Sequence, residues 1–505
     1  MQTSFVLWTI AIVAAIPALA DDPLSAIDWL EGVEDEDYLE IEVIRDAGAG
    51  PDYQPAIEAA ELEALRWDAV GLVSSELSGL PKDLWQESES SAIEQLFAEL
   101  NVDLPPAALE LLYTLLLAEA DPPGGSASDG SLFLTRVDKL IELGALEHAE
   151  ALLERAGPTE PEAFRRWFDI SLLTGYENRA CAAMSSVPAL APSFSARLFC
   201  LVREGHWSAA AVSHSAARAI GMISPSEAEP LKYFLYPELI GGNAIPETNT
   251  LTPLAFRMLE AIGQPPASSI LPLAYIYRHH SGIMGWKSKI EAGERLARSG
   301  AIPPGSLFSA YLERPPPASG GIWDRVNNVQ ALDLALLSAN SDEVEQLVPT
   351  IFDSMRDVGL EVAFSRYFGP RIIPFGASGG NKTEAFYVAL LSDEYVSASQ
   401  QFTTATPREL FLQSIAAGTP SWTHARTPLE LAIAAALTGT GFDGELEDLL
   451  ERKKLGEALL RSLYRFSHFR HSDPFDVGEA LFALVQSGFR SEATRIALQM
   501  LVAMK

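Results

Sequence analysis

Three segments of this chain superimpose without gaps, and their shared pattern limits the fold more than any other feature. They centre on Gly144-Ala-Leu-Glu-His-Ala149, Gly175-Tyr-Glu-Asn-Arg-Ala180 and Gly205-His-Trp-Ser-Ala-Ala210. The glycines stand 31 and 30 residues apart, and a phenylalanine (Phe133, Phe164 or Phe194) lies 16 residues before each alanine. From Phe133 to Leu143 apolar residues recur at helical spacing, and Gly144 follows where a left-handed residue would cap the helix. A second helix then begins, and the small Ala149 lets it approach its partner closely. Pro158, Pro161, Pro188 and Pro192 stop the second helices or start the next first ones. Each unit is a helical hairpin, and a lone hairpin cannot bury its own apolar face. Stacking is then obligatory, and a non-repeating helical bundle is the alternative to such an array.

A fourth match, Gly488-Phe-Arg-Ser-Glu-Ala493, follows the amphipathic run Val477 to Ser487 and predicts a further hairpin over 477–502. Ala and Leu dominate elsewhere, while β-branched runs bounded by turn residues are scarce, which favours helices over strands. Pro105-Pro106, Pro122-Pro123-Gly124-Gly125, Pro265-Pro266, Pro303-Pro304 and Pro315-Pro316-Pro317 each mark a turn or loop. The clearest interior boundary is Pro315 to Gly321. The expected organisation is an all-α chain with a signal peptide at 1–20 and an acidic flexible arm at 21–65. An N-terminal helical region at 66–132, a helical-repeat region at 133–314 and a C-terminal helical region at 322–505 follow. Within the arm only Leu39 to Ile44 reads as a short strand.

The formal net charge is −32. That argues against a general nucleic-acid binder, which needs clustered Lys and Arg to neutralise phosphates. The charge is uneven: fifteen acidic residues face one base, Arg45, between Asp21 and Glu63, whereas nine bases outnumber six acids from Glu451 to Lys505.

The apolar stretch Phe5 to Ala20 closes on Pro17-Ala18-Leu19-Ala20 and then Asp21-Asp22. Ala18 and Ala20 suit the narrow pocket of a signal peptidase, with cleavage after Ala20, although no Lys or Arg precedes the apolar core. The stretch is short for a spanning helix, which needs about 20 residues; an uncleaved anchor and a buried N-terminal helix are the alternatives. Export into an oxidising compartment, the periplasm, is therefore expected, with no membrane span in the mature chain.

Export makes a disulfide reasonable for the two cysteines, Cys181 and Cys200. Cys181 lies seven residues before Pro188, and Cys200 seven residues after Ser193. Antiparallel helices around the 188–193 turn would bring the two thiols to one height. The alternative is two buried free cysteines acting as small hydrophobes.

Candidate chemistry is thin. Gly376-Ala-Ser378-Gly-Gly380 matches the G-x-S-x-G nucleophile elbow, Arg371 to Phe375 could be a short strand before it, and Asp393 or Glu394 with His424 or His468 would complete a triad. Pro374 weakens that strand, and a loop before a helix starting near Lys382 needs no catalysis. The eight histidines form no metal-ligand motif, and Glu34 to Asp37 lacks the spacing of a calcium loop, so no metal or cofactor is expected. Two basic-aromatic stretches remain: Tyr275 to His280 with Lys287 and Lys289, and Arg461 to His471. The second offers Arg461, Arg465, His468 and Arg470 as a possible binding surface for an anionic envelope polymer or acidic partner. An amphipathic helix with solvated bases is its plainer account.

The Gly-x-x-x-x-Ala turns resemble those of the tetratricopeptide repeat, which carries Gly-x-aromatic-x-x-Ala. The units here are shorter than that family's 34 residues, and only Trp207 supplies the aromatic, so the pattern is TPR-like. The chain also resembles a set of uncharacterised exported bacterial proteins through Gly79-Leu-Pro-Lys-Asp-Leu-Trp85, the C-x18-C pair, Glu291-Ala-Gly-Glu-Arg-Leu-Ala297 and Ala318-Ser-Gly-Gly-Ile-Trp323. That resemblance implies a bacterial envelope setting and supplies no activity. The catalytic signature of exported lytic transglycosylases, a Glu-Ser pair followed by a glycine-rich run ending in Met-Gln, is absent. The expected function is a non-enzymatic periplasmic interaction or scaffolding protein built as an α-solenoid, with unidentified envelope proteins as partners. An envelope serine hydrolase using Ser378 and a capture protein for an anionic envelope polymer are the alternatives.

Overall fold

The computed structural model describes residues 66–124, 130–240, 251–282, 284–376 and 382–503. The expected signal peptide with Ala18 and Ala20, the acidic arm with its strand at 39–44, and Ser378 lie outside the described residues.

The described chain is all-α. In order the helices are α1 (Ser75–Ser78), α2 (Ser90–Glu99), α3 (Pro106–Leu117), α4 (Ser131–Glu142), α5 (Leu146–Ala156), α6 (Pro161–Thr174), α7 (Glu177–Ser186), α8 (Phe194–Arg203) and α9 (Trp207–Ala219). The middle of the chain holds α10 (Pro225–Leu235), α11 (Pro253–Ala261), α12 (Leu273–Ser281), α13 (Trp286–Arg298), α14 (Pro304–Tyr311), α15 (Ile322–Leu337), α16 (Ser341–Arg356) and α17 (Glu361–Gly376). The last third holds α18 (Lys382–Leu391), α19 (Tyr395–Ser399), α20 (Pro407–Ala416), α21 (Pro428–Thr438), α22 (Glu445–Glu451), α23 (Leu455–Ser467), α24 (Pro474–Gln486) and α25 (Arg490–Ala503). Among the described residues the only extended pairing is an isolated parallel bridge between Val73 and Ala118. No helix there is long and apolar enough to cross a membrane.

Local sequence sets most helix ends. Pro106, Pro161, Pro225, Pro253, Pro304, Pro407, Pro428 and Pro474 each occupy a first turn, where a missing N–H leaves no bond unmade. Thr406 with Glu409, and Thr427 with Glu430, close capping boxes. At the other end, Gly144, Gly175, Gly205 and Gly488 are all left-handed. The next residue's N–H reaches back five residues each time: Ala145 to Leu140, Tyr176 to Ser171, His206 to Leu201 and Phe489 to Leu484, at 2.8–2.9 Å. These are Schellman closures, so the recurrent glycine of the sequence is a recurrent backbone device. Ala149, Ala180 and Ala210 are fully buried where the second helix of each pair meets its neighbours.

The pairs α4–α5, α6–α7 and α8–α9 are therefore hairpins, packed in succession. A second layer lies over them: α12 packs on α4 and α6, and α11 on α6. The Gly144 turn is tight against that layer, because a Cβ there would stand 2.8 Å from Leu296 Cδ2 and 3.1 Å from Leu273 Cβ. At Gly205 nothing lies within 4 Å of the same position. Gly144→Ala should thus combine left-handed strain with a clash and lose about 2–4 kcal/mol, against about 1–2 kcal/mol of strain alone for Gly205→Ala. Urea unfolding of both variants checks this, and equal losses would refute the packing argument.

Beyond the hairpins the connectivity differs from an open array, in which units touch only their neighbours. α25 packs on α3, and the buried Gln499 side chain accepts a hydrogen bond from the Ala107 N–H at 2.8 Å, across 392 residues. α23 packs on α2 and α3, with the Gly456 N–H bonded to the Leu84 carbonyl at 3.2 Å. The Pro315–Gly321 loop joins α14 to α15, and contact continues across it. The Phe308 ring of α14 sits 5.1 Å from those of Tyr367 and Phe368 on α17.

Candidate functional site

The stretch Arg461 to His471 forms the wall of a cleft of about 440 Å³ between α2, α22, α23 and the start of α24. Leu96, Tyr464 and His468 supply its less polar surface, and Glu99, Glu445, Arg461, Arg465 and Asp476 its charge. Helical spacing places Arg461, Tyr464, Arg465 and His468 on one side of α23 and its end. Arg470 lies away from the cleft, its guanidinium 5.2 Å from the Phe469 ring.

The two arginines are occupied by this chain's own carboxylates. Arg461 holds Glu445 at 3.0 Å and Glu457 at 2.9 Å. Arg465 holds the buried Glu479 at 2.5 Å, with Glu445 at 3.4 Å. Burial works to raise the Glu457 carboxyl, but hydrogen bonds from Arg461 and Lys454 hold it below the usual carboxylate range. His468 Nδ1 lies 2.8 Å from Ser467 Oγ and 3.2 Å from the Tyr464 carbonyl. An incoming polyanion would have to displace carboxylates already in place, at a desolvation cost. The sequence shows the bases; of the acids opposing them Glu457 lies on α23 itself, and Glu445 and Glu479 come from α22 and α24.

The bases of the other basic-aromatic stretch are likewise met by this chain's own carboxylates. Tyr277 donates to Glu147 at 2.5 Å, Arg278 pairs with Glu260 at 3.3 Å, and Lys289 with Glu313 at 2.8 Å. His279 is buried with neither ring nitrogen bonded, and burial pushes its pKa down.

The segment Arg371–Phe375 is a correction to the strand reading: it lies within α17, as does Gly376. Pro370 and Pro374 are accommodated inside that helix. A nucleophile elbow needs a strand–turn–helix on a parallel sheet, and no sheet is present among the described residues. Asp393 is held by Arg366 at 2.7 Å, and His424 Nδ1 lies 2.9 Å from Ser421 Oγ. α18 does begin at Lys382, as the loop reading expects.

Cys181 on α7 and Cys200 on α8 are joined, with Cα atoms 5.2 Å apart. The equal-height argument around the 188–193 turn holds. The segments that carry the family resemblance turn out to be packing devices. Trp85 is buried 5.9 Å from the Phe97 ring, in space that Gly456 leaves open. Trp323 lies 4.9 Å from Trp286, and Glu294 binds Arg325 at 2.7 Å.

One carboxyl escaped the sequence reading. Asp169, on α6, lines a cleft of about 200 Å³ with Asp138, Arg165, Arg166 and Tyr275. Burial pushes its pKa up to about 7, partly offset by Arg165 and reinforced by Glu227. A carboxyl raised by folding adds stability below its unfolded value of 3.8, and that contribution is lost as pH rises through about 7. Asp169→Asn should therefore gain about 4 kcal/mol at pH 8 and almost nothing at pH 4. Denaturation at the two pH values tests this, and an equal gain at both would sink the explanation. Only the tertiary neighbours of α6 reveal this group, since Asp169 in sequence is one acid among many.

No family model, curated protein or solved structure matches the chain.

Proposed function

We propose that this chain is an exported, non-catalytic interaction protein, a TPR-like stack of helical hairpins that holds partner proteins in the cell envelope. The observation that carries this reading is the recurrence of exposed large apolar side chains over residues 176–222. Tyr176, Val187, Trp207, Val212, Ile220 and Met222 all lie open within one stretch of chain. Exposed apolar side chains form a contact surface where they share one face. The inward pairing of Arg461 and Arg465 disfavours a polymer-capture surface there.

The export part rests on Ala18 and Ala20 before Asp21, and is supported by the Cys181–Cys200 bond, which persists in oxidising compartments. The mature protein should begin at Asp21, fractionate with the periplasm, and show no free thiol after denaturation. An intact Met1 or two titratable thiols would overturn export. Crosslinking in intact cells should capture envelope proteins, and Ser378→Ala should leave both the captured set and any phenotype unchanged. Fluorophosphonate labelling that vanishes in Ser378→Ala would instead establish the hydrolase.

A further inference from the structure

Asp169 stands in a cleft whose charges do not balance. Its carboxyl is part-buried, and among the described residues it makes no hydrogen bond or ion pair. Arg165, one helical turn earlier on α6, reaches only the exposed Glu162, at 3.6 Å. Arg166 is taken up by both oxygens of Asp138 at 2.7 Å and by Glu162 at 3.2 Å. A second carboxyl, Glu227 on α10, is buried and close enough that its charge raises the Asp169 pKa. Glu227 Oε1 accepts from Thr252 Oγ1 at 3.4 Å, while its Oε2 is buried and bonded to nothing. Asp138, Glu162, Asp169 and Glu227 thus oppose Arg165 and Arg166 alone. Carboxylates held out of water normally find donors, and a pair left without them calls for one.

The rest of the lining says what kind of donor fits. The Tyr275 hydroxyl gives its proton to the Leu251 carbonyl at 2.7 Å, so it can offer the cleft only lone pairs. The remaining wall is apolar, made by Ile141, Ile170, Leu173, Pro253 and Ala274. Acceptors beside such a wall suit a chain of methylene groups that ends in a cation. At about 200 Å³ the cleft takes one such chain rather than a larger molecule. The carboxyl excess opposes an anion. Calcium wants six or more oxygens, and among the described residues no three acidic, His or Cys side chains gather to hold a metal.

We infer that this cleft binds an alkylammonium group, with the ammonium against Asp169 and the methylene chain along Ile170, Leu173 and Pro253. The ammonium supplies both the donor and the counter-charge that the Asp169–Glu227 pair lacks. A proton on Asp169 competes with it, since burial already favours the neutral carboxyl. A free aliphatic amine and a lysine side chain of another protein both present this chemistry. The inference does not rest on the interaction reading above and stands or falls separately from it.

Thermal unfolding of the full chain at pH 8 in about 20 mM butylammonium chloride tests this. The melting temperature should rise by about 1–2 °C over that in sodium chloride of equal ionic strength. The rise should vanish at pH 5, where Asp169 carries the proton, and in Asp169→Asn, which folds without the charge. Glu227→Gln should weaken it. Nα-acetyl-lysine amide separates the two sources: a rise as large as that with butylammonium assigns the cleft to a lysine side chain, and a rise with butylammonium alone assigns it to a free amine. An equal rise in Asp169→Asn overturns the inference. So does no rise with either amine at pH 8, which leaves Asp169 a carboxyl held by its proton only.

Discussion

Replacing Arg136 by methionine is expected to lower the stability of the fold by about 3–5 kcal/mol, because it leaves several buried carbonyls unbonded. Arg136 lies on α4 and is almost wholly buried. Its guanidinium donates to the Leu116 carbonyl at 2.8 Å, to Val70 and Ala118 at 2.9 Å, and to Asp68 at 3.4 Å. Burial pushes its pKa down to about 10, with Asp68 pulling it back up, so it remains charged at neutral pH. The Asp68 side chain in turn accepts from the Phe133 N–H at 2.8 Å, in the first turn of α4. One side chain thus ties the extended segment before α1 to the end of α3 and to the start of the hairpin stack. Methionine fills similar space but orphans these carbonyls, and each unmade buried bond costs about 1–3 kcal/mol. Arg136→Lys keeps the charge but not the fork, and should fall between. Urea unfolding measures the loss, and hydrogen exchange should show residues 66–73 and α3 opening first. A loss for Arg136→Met below about 1 kcal/mol would show that the clamp is dispensable.

Glu294→Ala should be the second large effect, at about 3 kcal/mol. The Glu294 carboxylate accepts the buried Tyr311 hydroxyl and takes Arg325 at 2.7 and 2.9 Å. Burial and then the Glu294 charge raise the Tyr311 pKa, so the hydroxyl stays a donor. Removing the carboxylate strands a part-buried guanidinium and a buried hydroxyl together. Tyr311→Phe removes only one neutral donor, and should lose about 1 kcal/mol. In a double-mutant cycle, Glu294→Ala combined with Arg325→Met should recover a substantial part of the loss, because the uncompensated charge is gone. Strict additivity of the two would refute the coupling. The pair joins α13 to α15 across the Pro315–Gly321 loop, so the same experiment asks whether that loop separates independently stable parts.

The helical reading succeeded where its signal was local. Gly144, Gly175, Gly205 and Gly488 announce their turns because a left-handed cap depends on one residue's own backbone freedom. Cys181 and Cys200 could be matched in height because only one turn separates them. The strand reading at Arg371–Phe375 failed for a complementary reason. A short apolar run bounded by glycines has no decisive period of its own, and packing of α17 on α14 and α18 settled it as helix.

At the candidate surfaces, sequence showed which residues carry charge and packing showed what that charge is used for. Arg461 and Arg465 read as a basic patch until α22 and α24 bring Glu445 and Glu479 against them. Asp169 gains its raised pKa, and Val212 its bareness, from which helices do or do not come near. What the sequence by itself determined is the all-α class, the hairpin turns and the equal height of the two cysteines, because each follows from backbone geometry over a few tens of residues. Tertiary structure alone decided that α25 returns to α3, that Arg136 and Glu294 are buried clamps, and that the third hairpin stands uncovered. Those depend on contacts between residues far apart in the chain, whose selection rests on summed burial that no local pattern encodes.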